Sequence, residues 1–136
     1  MAQHLFLTAV LVRDYDEAIA FYVDKLGFEL RLDNRLSETR RWVVLAPAGG
    51  GQGCILLARA EGERQLKAVG EQTGGRVFLF LHTDDFWRDY QDMRAQEIQF
   101  VEGPREEPYG KVAVFLDLYG NRWDLVHPKP AAQPGE

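Results

Sequence analysis

The sequence predicts an α+β fold of two βαβββ repeats in tandem, forming a curved sheet around a cleft. Three observations carry this reading. Short apolar runs with strand-like alternation are separated by turn residues, and two stretches switch to helical spacing. The second helix entry also repeats the first at a fixed distance. "VRDYDEA" at 12–18 matches "TDDFWRD" at 83–89, an offset of 71 residues (83 − 12). Each copy passes from a strand through an acidic cap into an aromatic-led helix.

"LFLTAVLV" at 5–12 is apolar on both alternating faces, as in a strand covered on both sides. In the following "RDYDEAIAFYVDKLGF", Tyr15, Ala18, Ile19, Tyr22 and Leu26 recur at helical spacing. Asp14 followed three residues later by Glu17 forms an N-terminal cap, and Gly27 is a natural terminator. "FELRLDN", "RRWVVLAP" and "CILLARA" read as three strands, separated by "RLSET" and "AGGGQG". "EGERQLKAVGEQTGG" reads as a short polar helix ending at glycines. The second copy has a strand "RVFLFLHT", a helix "DDFWRDYQDMRAQ", and strands "EIQFVEGP", "KVAVFLDL" and "NRWDLVHP". The expected organisation is one domain over 1–127, with repeats at about 5–58 and 76–127 and a linker at 59–75. The Pro-rich remainder, 128–136, is expected to be disordered.

Composition restricts the function. Hydrophobic residues make up 46% of the chain and charged residues 27%, with acids and bases mixed and a net charge of −5. No basic stripe for a nucleic-acid partner is present. No apolar run approaches membrane-spanning length, and no signal-like segment opens the chain, so a cytoplasmic protein is expected. Cys54 is the only cysteine, which excludes an intrachain disulfide and a Cys-rich metal site.

The chemistry-bearing candidates are few. "GGGQG" lacks the Lys-Ser/Thr of a phosphate loop, and Ser37 has no His-Asp partners in view. Arg40 and Arg41 open a strand where they would draw an anion or simply face solvent. In "FLDLYGNRWDLV", alternation puts Trp123 and Leu125 on one face and Arg122, Asp124 and Val126 on the other. If the Trp-Leu face packs under a helix, Asp124 faces the cleft. It is then either half of an Arg122–Asp124 pair or an acceptor for a bound molecule's amine, amide or hydroxyl. His82 follows Phe78 and Phe80 at strand spacing, and with Asp124 it forms the candidate catalytic pair. Phe78, Phe80, Trp42 and Tyr109 are candidate stacking walls.

The tandem plan, with "VRDYDEAIAFYVDKLGFEL" and "EEPYGKVAVFLDLYGNRWDLV", resembles the vicinal oxygen chelate superfamily over roughly residues 5–127. That superfamily includes glyoxalase I, ring-cleaving dioxygenases, fosfomycin-resistance enzymes and bleomycin-binding proteins. The resemblance implies a glyoxalase/bleomycin-resistance fold, a homodimer and, in metal-dependent members, two His and two Glu on four strands. Carried onto this chain, those four positions are Leu7, Leu56, Phe78 and Asp124. Leu7 and Phe78 obey the repeat offset (78 − 7 = 71), so the two registers agree. A divalent ion needs several convergent N or O donors, and three of the four positions are apolar. No metal and no cofactor are therefore expected.

The expected function is metal-independent binding of a small molecule in an apolar cleft. Leu7, Trp42, Leu56, Phe78, Phe80, His82, Tyr109, Arg122 and Asp124 are the candidate lining. The alternative is a lyase or isomerase of glyoxalase type using His82 and Asp124, with or without a non-standard metal site.

Overall fold

A computed structural model describes residues 1–51 and 53–130. The chain divides into two compact units, Met1–Gln72 and Thr73–Glu136. Residues 131–136, most of the expected disordered tail, lie outside the described residues.

The first unit contains β1 (Leu7–Val12), α1 (Tyr15–Ile19), a π-helical continuation (Ala20–Lys25), β2 (Glu29–Arg35), β3 (Arg41–Ala46), β4 (Cys54–Arg59) and α2 (Gly62–Ala68). Its sheet order is β1-β4-β3-β2, with β1 and β4 parallel and the other pairs antiparallel. Asp14 caps α1 by accepting from the Glu17 amide at 2.8 Å. Gly27, at φ 83, takes the left-handed conformation that closes the helix. The π-helical turns widen the helix by about one residue per turn, so the buried face drifts from the α-helical stripe. Phe21 consequently joins Tyr22 in the core, their rings edge to face at 5.3 Å. Beneath the helix, Val10, Leu57 and Val43 are register partners across three strands and are almost fully buried. Each such side chain contributes about 1.5–3 kcal/mol by leaving water.

The second unit repeats the plan with β5 (Val77–His82), α3 (Phe86–Ala95), β6 (Phe100–Glu107), β7 (Gly110–Leu116) and β8 (Arg122–Pro128). Its sheet order, β5-β8-β7-β6 with β5 and β8 parallel, copies the first. Asp85 caps α3 by accepting from the Arg88 amide, 71 residues after the Asp14 cap (85 − 14). The core of this unit is an aromatic ladder. Phe86 stacks on Tyr90 at 5.7 Å, and Tyr90 meets Phe100, then Phe115, then Trp123, with centroids 4.6–5.8 Å apart. Such pairs add to the burial of their area.

Asp117 organises the β7–β8 turn. Its buried carboxylate accepts from the amides of Tyr119 and Asn121, from Asn121 Nδ2 and from the Trp123 indole at 3.0–3.3 Å. A carboxylate thus links the turn to the aromatic ladder. β6 begins at Phe100 and runs to Glu107, later than the expected 97–104. Register shifts at Phe100/Glu102 and Glu102/Arg105 let this edge strand carry Gly103 and Pro104 in its middle.

Candidate functional site

The face of the second sheet away from α3 carries the candidate chemistry. Register partners share a face, and Asp124 is paired with Phe80 on one side and Val114 on the other, with Glu102 beyond Val114. The next row along the strands is His82, Val126, Val112 and Arg105. Asp124 is therefore central among apolar neighbours, as alternation predicts, and only 3% exposed.

One of its oxygens is unusual. Asp124 Oδ1 is the only buried side-chain N or O atom without a hydrogen-bond partner among the described residues. An unpaired buried acceptor costs about 1–3 kcal/mol, more when charged. Burial pushes the Asp124 carboxyl above the usual carboxylate range; the nearby Arg105 pulls it back and Glu102 pushes it further up. The alternative of an Arg122–Asp124 ion pair is not realised. Arg122 Nη1 lies 3.7 Å from Glu102 Oε2, and Glu102 is held more closely by Arg105 at 2.9 Å.

An open groove of about 380 Å³ borders this carboxylate's neighbours, lined by Gly75, Arg76, Val77, Phe80, Glu102 and Arg122. Phe80 is 63% exposed, which is unusual for a phenyl ring in mid-strand. Residue spacing alone does not place Arg76, Val77 or Glu102 here. The bulges in β6 hide the face on which Glu102 falls, and Arg76 precedes β5.

The remaining candidates fall in different places. A register shift between Val77 and Leu79 interrupts the alternation of β5, and the Phe78 ring meets Trp123 edge-on at 6.2 Å, ending the aromatic ladder. His82 is exposed at the end of β5, two residues beyond Phe80. Tyr109 is exposed in the β6–β7 turn, beyond the Gly110–Pro128 pair, whereas the groove lies at the Arg122 end of β8. In the first unit, Leu7 and Leu56 are partly buried against Val44, Ala46 and Cys54 on the face away from α1. Trp42 shares the parity of Val44 and is 37% exposed. Arg41 is committed to Asp33 and Asp16 by three hydrogen bonds of 2.6–3.0 Å. Those two carboxylates raise its already high pKa.

The residues do not fit the metal site of the glyoxalase type. Of the four positions carried over from the resemblance, Leu7, Leu56 and Phe78 offer no donor atoms, which leaves Asp124 alone. Within neither unit do three His, Cys, Asp or Glu side chains converge, among the described residues. No helix among the described residues is long and apolar enough to cross a membrane.

Comparison with known proteins shows what the chain is similar to. An uncharacterized protein of Shewanella frigidimarina (strain NCIMB 400) is 54% identical over 127 residues, covering 93% of this chain and 94% of its own. Among solved structures, UcmS2 superposes with a TM-score of 0.80 at 29% identity, covering 93% of this chain and 98% of its own. TnmS3, an antibiotic binding protein from Streptomyces sp. CB03234, has a TM-score of 0.76 at 29% identity, with 94% and 98% covered. The family profile matches residues 4–125. With its repeated βαβββ units and this match, the chain belongs to the Glyoxalase/Bleomycin resistance protein/Dioxygenase superfamily.

Proposed function

We propose that this chain is a metal-independent small-molecule binding protein, with Phe80 as an apolar platform and Asp124 as the polar anchor. The observation that carries this reading is the unpartnered, buried Asp124 Oδ1 beside an exposed phenyl ring. A folded protein seldom leaves such an acceptor unpaired unless a bound molecule or water completes it. Apolar walls with a few placed polar groups are how small-molecule sites are usually built. The 29% identity to an antibiotic binding protein supports binding rather than turnover. The donor-poor set at the four glyoxalase ligand positions supports independence from metal.

The test is a thermal-shift panel of cationic glycopeptides, aromatic acids and thiol conjugates. A saturating ligand at a hundredfold excess over its dissociation constant stabilises the fold by about 2.7 kcal/mol. Hits are expected to weaken in Asp124→Asn and Phe80→Ala. Hits that bind both variants as tightly as the parent would place the ligand elsewhere.

A lyase or isomerase role for His82 and Asp124 is the second reading. It is favoured only by their placement on one sheet face, in adjacent rows. Turnover abolished by His82→Ala, with binding retained, would move the assignment to it. We also propose a homodimer in the cytoplasm, supported by family membership and by the apolar sheet face that carries Leu7, Leu56 and Val44. Light scattering at micromolar concentration is expected to give twice the 15.5 kDa chain mass.

A further inference from the structure

Each sheet has two edge strands, β1 and β2 in the first unit and β5 and β6 in the second. An open edge presents unpaired N–H and C=O groups, and folded proteins block it with charge, proline, bulges or a covering group. Three of these edges are blocked in such ways. β2 carries Glu29, Arg31, Asp33 and Arg35, with a register shift between Leu30 and Leu32. β6 carries Glu102, Pro104, Arg105, Glu106 and Glu107, with register shifts on both sides of Glu102. Along β1, the Gln72 carboxamide accepts from the Leu11 amide and donates to the Ala9 carbonyl. β5 differs. It contains no Asp, Glu, Lys, Arg or Pro, and its one irregularity, between Val77 and Leu79, leaves residues 79–82 in unbroken register with β8.

The outward groups of β5 follow from its ladder. The Thr83 amide donates to the Val126 carbonyl of β8. Successive residues of a strand turn their backbone groups to opposite sides, so Leu81 also faces β8 while Phe80 and His82 face away. The repeat gives the same assignment. Phe80 and His82 are the counterparts of Ala9 and Leu11 (80 − 9 = 71, 82 − 11 = 71), the residues that Gln72 covers in the first unit. Among the described residues no hydrogen bond covers their outward groups in the second. Both residues are exposed.

We propose that β5 pairs antiparallel with β5 of a second copy, about a twofold axis at Leu81. In this register Phe80 exchanges backbone hydrogen bonds with His82 of the partner subunit, and His82 does so with Phe80 of the partner subunit. An axis at Phe80 would instead set His82 against Phe78, inside the irregular stretch. Two copies of this edge bring no like charges together. A folded strand has already lost the freedom that a flexible peptide would give up, so a short ladder favours a folded partner. This names the surface of the homodimer proposed above and rests on that reading. It also sets His82 of the partner subunit across from Phe80, on the face that Phe80 shares with Asp124. The second copy thereby supplies part of the proposed site.

The experiment combines thiol cross-linking with light scattering on the full chain. In a Cys54→Ala background, Leu81→Cys is expected to form a disulfide-linked dimer under mild oxidation. Residues facing each other in a non-hydrogen-bonded pair have Cα atoms about 4.5 Å apart, within disulfide range. Leu79→Cys in the same background should stay unlinked, since its counterpart lies roughly 13 Å along the strand. His82→Pro removes an outward N–H and leaves the β8 ladder intact. It is expected to halve the mass, from twice the 15.5 kDa chain mass to once, with unchanged circular dichroism. If the proline variant does not fold, the cross-link decides. The pairing is overturned if Leu81→Cys does not link, if Leu79→Cys links as readily, or if folded His82→Pro stays dimeric. In each case a dimeric parent keeps the homodimer on another face, whereas a monomeric parent rejects both readings. A monomeric parent that binds a blocked tetrapeptide of alternating valine and threonine, and loses it in His82→Pro, gives the edge to a foreign strand and overturns the pairing too.

Discussion

Phe80 and Asp124 are direct partners across the parallel β5–β8 pair, yet Phe80 is 63% exposed and Asp124 is 3% exposed. The apolar side chain faces water while the carboxylate is enclosed, the reverse of what solvation alone favours. This inversion concentrates cost at one place in an otherwise ordinary sheet, and it has consequences that can be measured.

Asp124→Leu is expected to be more stable than the parent at pH 7, by about 1–2 kcal/mol, because a well-packed apolar side chain replaces an unpaired buried charge. Burial raises the folded carboxyl's pKa above its unfolded value, so the folded state holds the proton more tightly. Below the unfolded value both states are protonated and the ionisation penalty is absent. It grows as pH rises between the unfolded and the raised folded value, and is complete above that window. The advantage of the variant should therefore shrink on acidification. Melting temperatures from pH 3 to 8 check this, and an advantage that does not change with pH would contradict it.

Asp117→Ala should destabilise the chain by about 2–4 kcal/mol, since the carboxylate accepts from two turn amides and two side chains. Asp117→Asn, which keeps an acceptor but turns a donor toward other donors, should fall between. Urea denaturation measures both. A loss below 1 kcal/mol for the alanine variant would mean that the turn holds without its hub.

Gly110 stands at φ 156, where an added Cβ would run into the His127 carbonyl oxygen of β8. Gly110→Ala is expected to cost about 2–3 kcal/mol through this overlap and the strained backbone. Gly103→Ala meets nothing within 4 Å and should stay within about 0.5 kcal/mol. Equal losses in the two variants would locate the effect in glycine content rather than in the close strand approach.

Metal content is the fourth test. After dialysis, the purified chain should carry no stoichiometric nickel, zinc, iron or manganese, because the resemblance to metal-dependent relatives puts Leu7, Leu56 and Phe78, none with a donor atom, at three of its four ligand positions. Near-equimolar metal by elemental analysis, lost in Asp124→Ala, would overturn the expectation.

The repeat was legible because its markers are local. Asp14 and Asp85 cap their helices with the same geometry at the same offset, and apolar alternation located the strands to within about three residues. What was not legible depends on pairing. Asp117 reads as one more turn residue until the Trp123 indole comes back beside it. The bulge at Val77/Leu79 brings Phe78 against Trp123 although simple parity groups it with Phe80 and His82. The bulges in β6 likewise hide Glu102, so the groove could not be assembled from spacing alone. Of the two roles that spacing leaves open for Asp124, the pair with Arg122 is not formed, for the same reason: the near carboxylate in sequence is Asp124, but the near one in space is Glu102.

Gln72 has the last position of the first unit, and its side-chain amide works along the outer edge of β1. Its Oε1 accepts from the Leu11 amide at 2.7 Å, and its Nε2 donates to the Ala9 carbonyl at 3.2 Å. One side chain therefore stands in for a peptide group of an absent neighbouring strand. An exposed edge is a template on which another chain can add and propagate aggregation. Here two of its sites are already occupied, and an incoming strand would have to break both bonds before its own ladder could form. The edge thus resists fibrillar growth without the charge or proline that edge strands more often use.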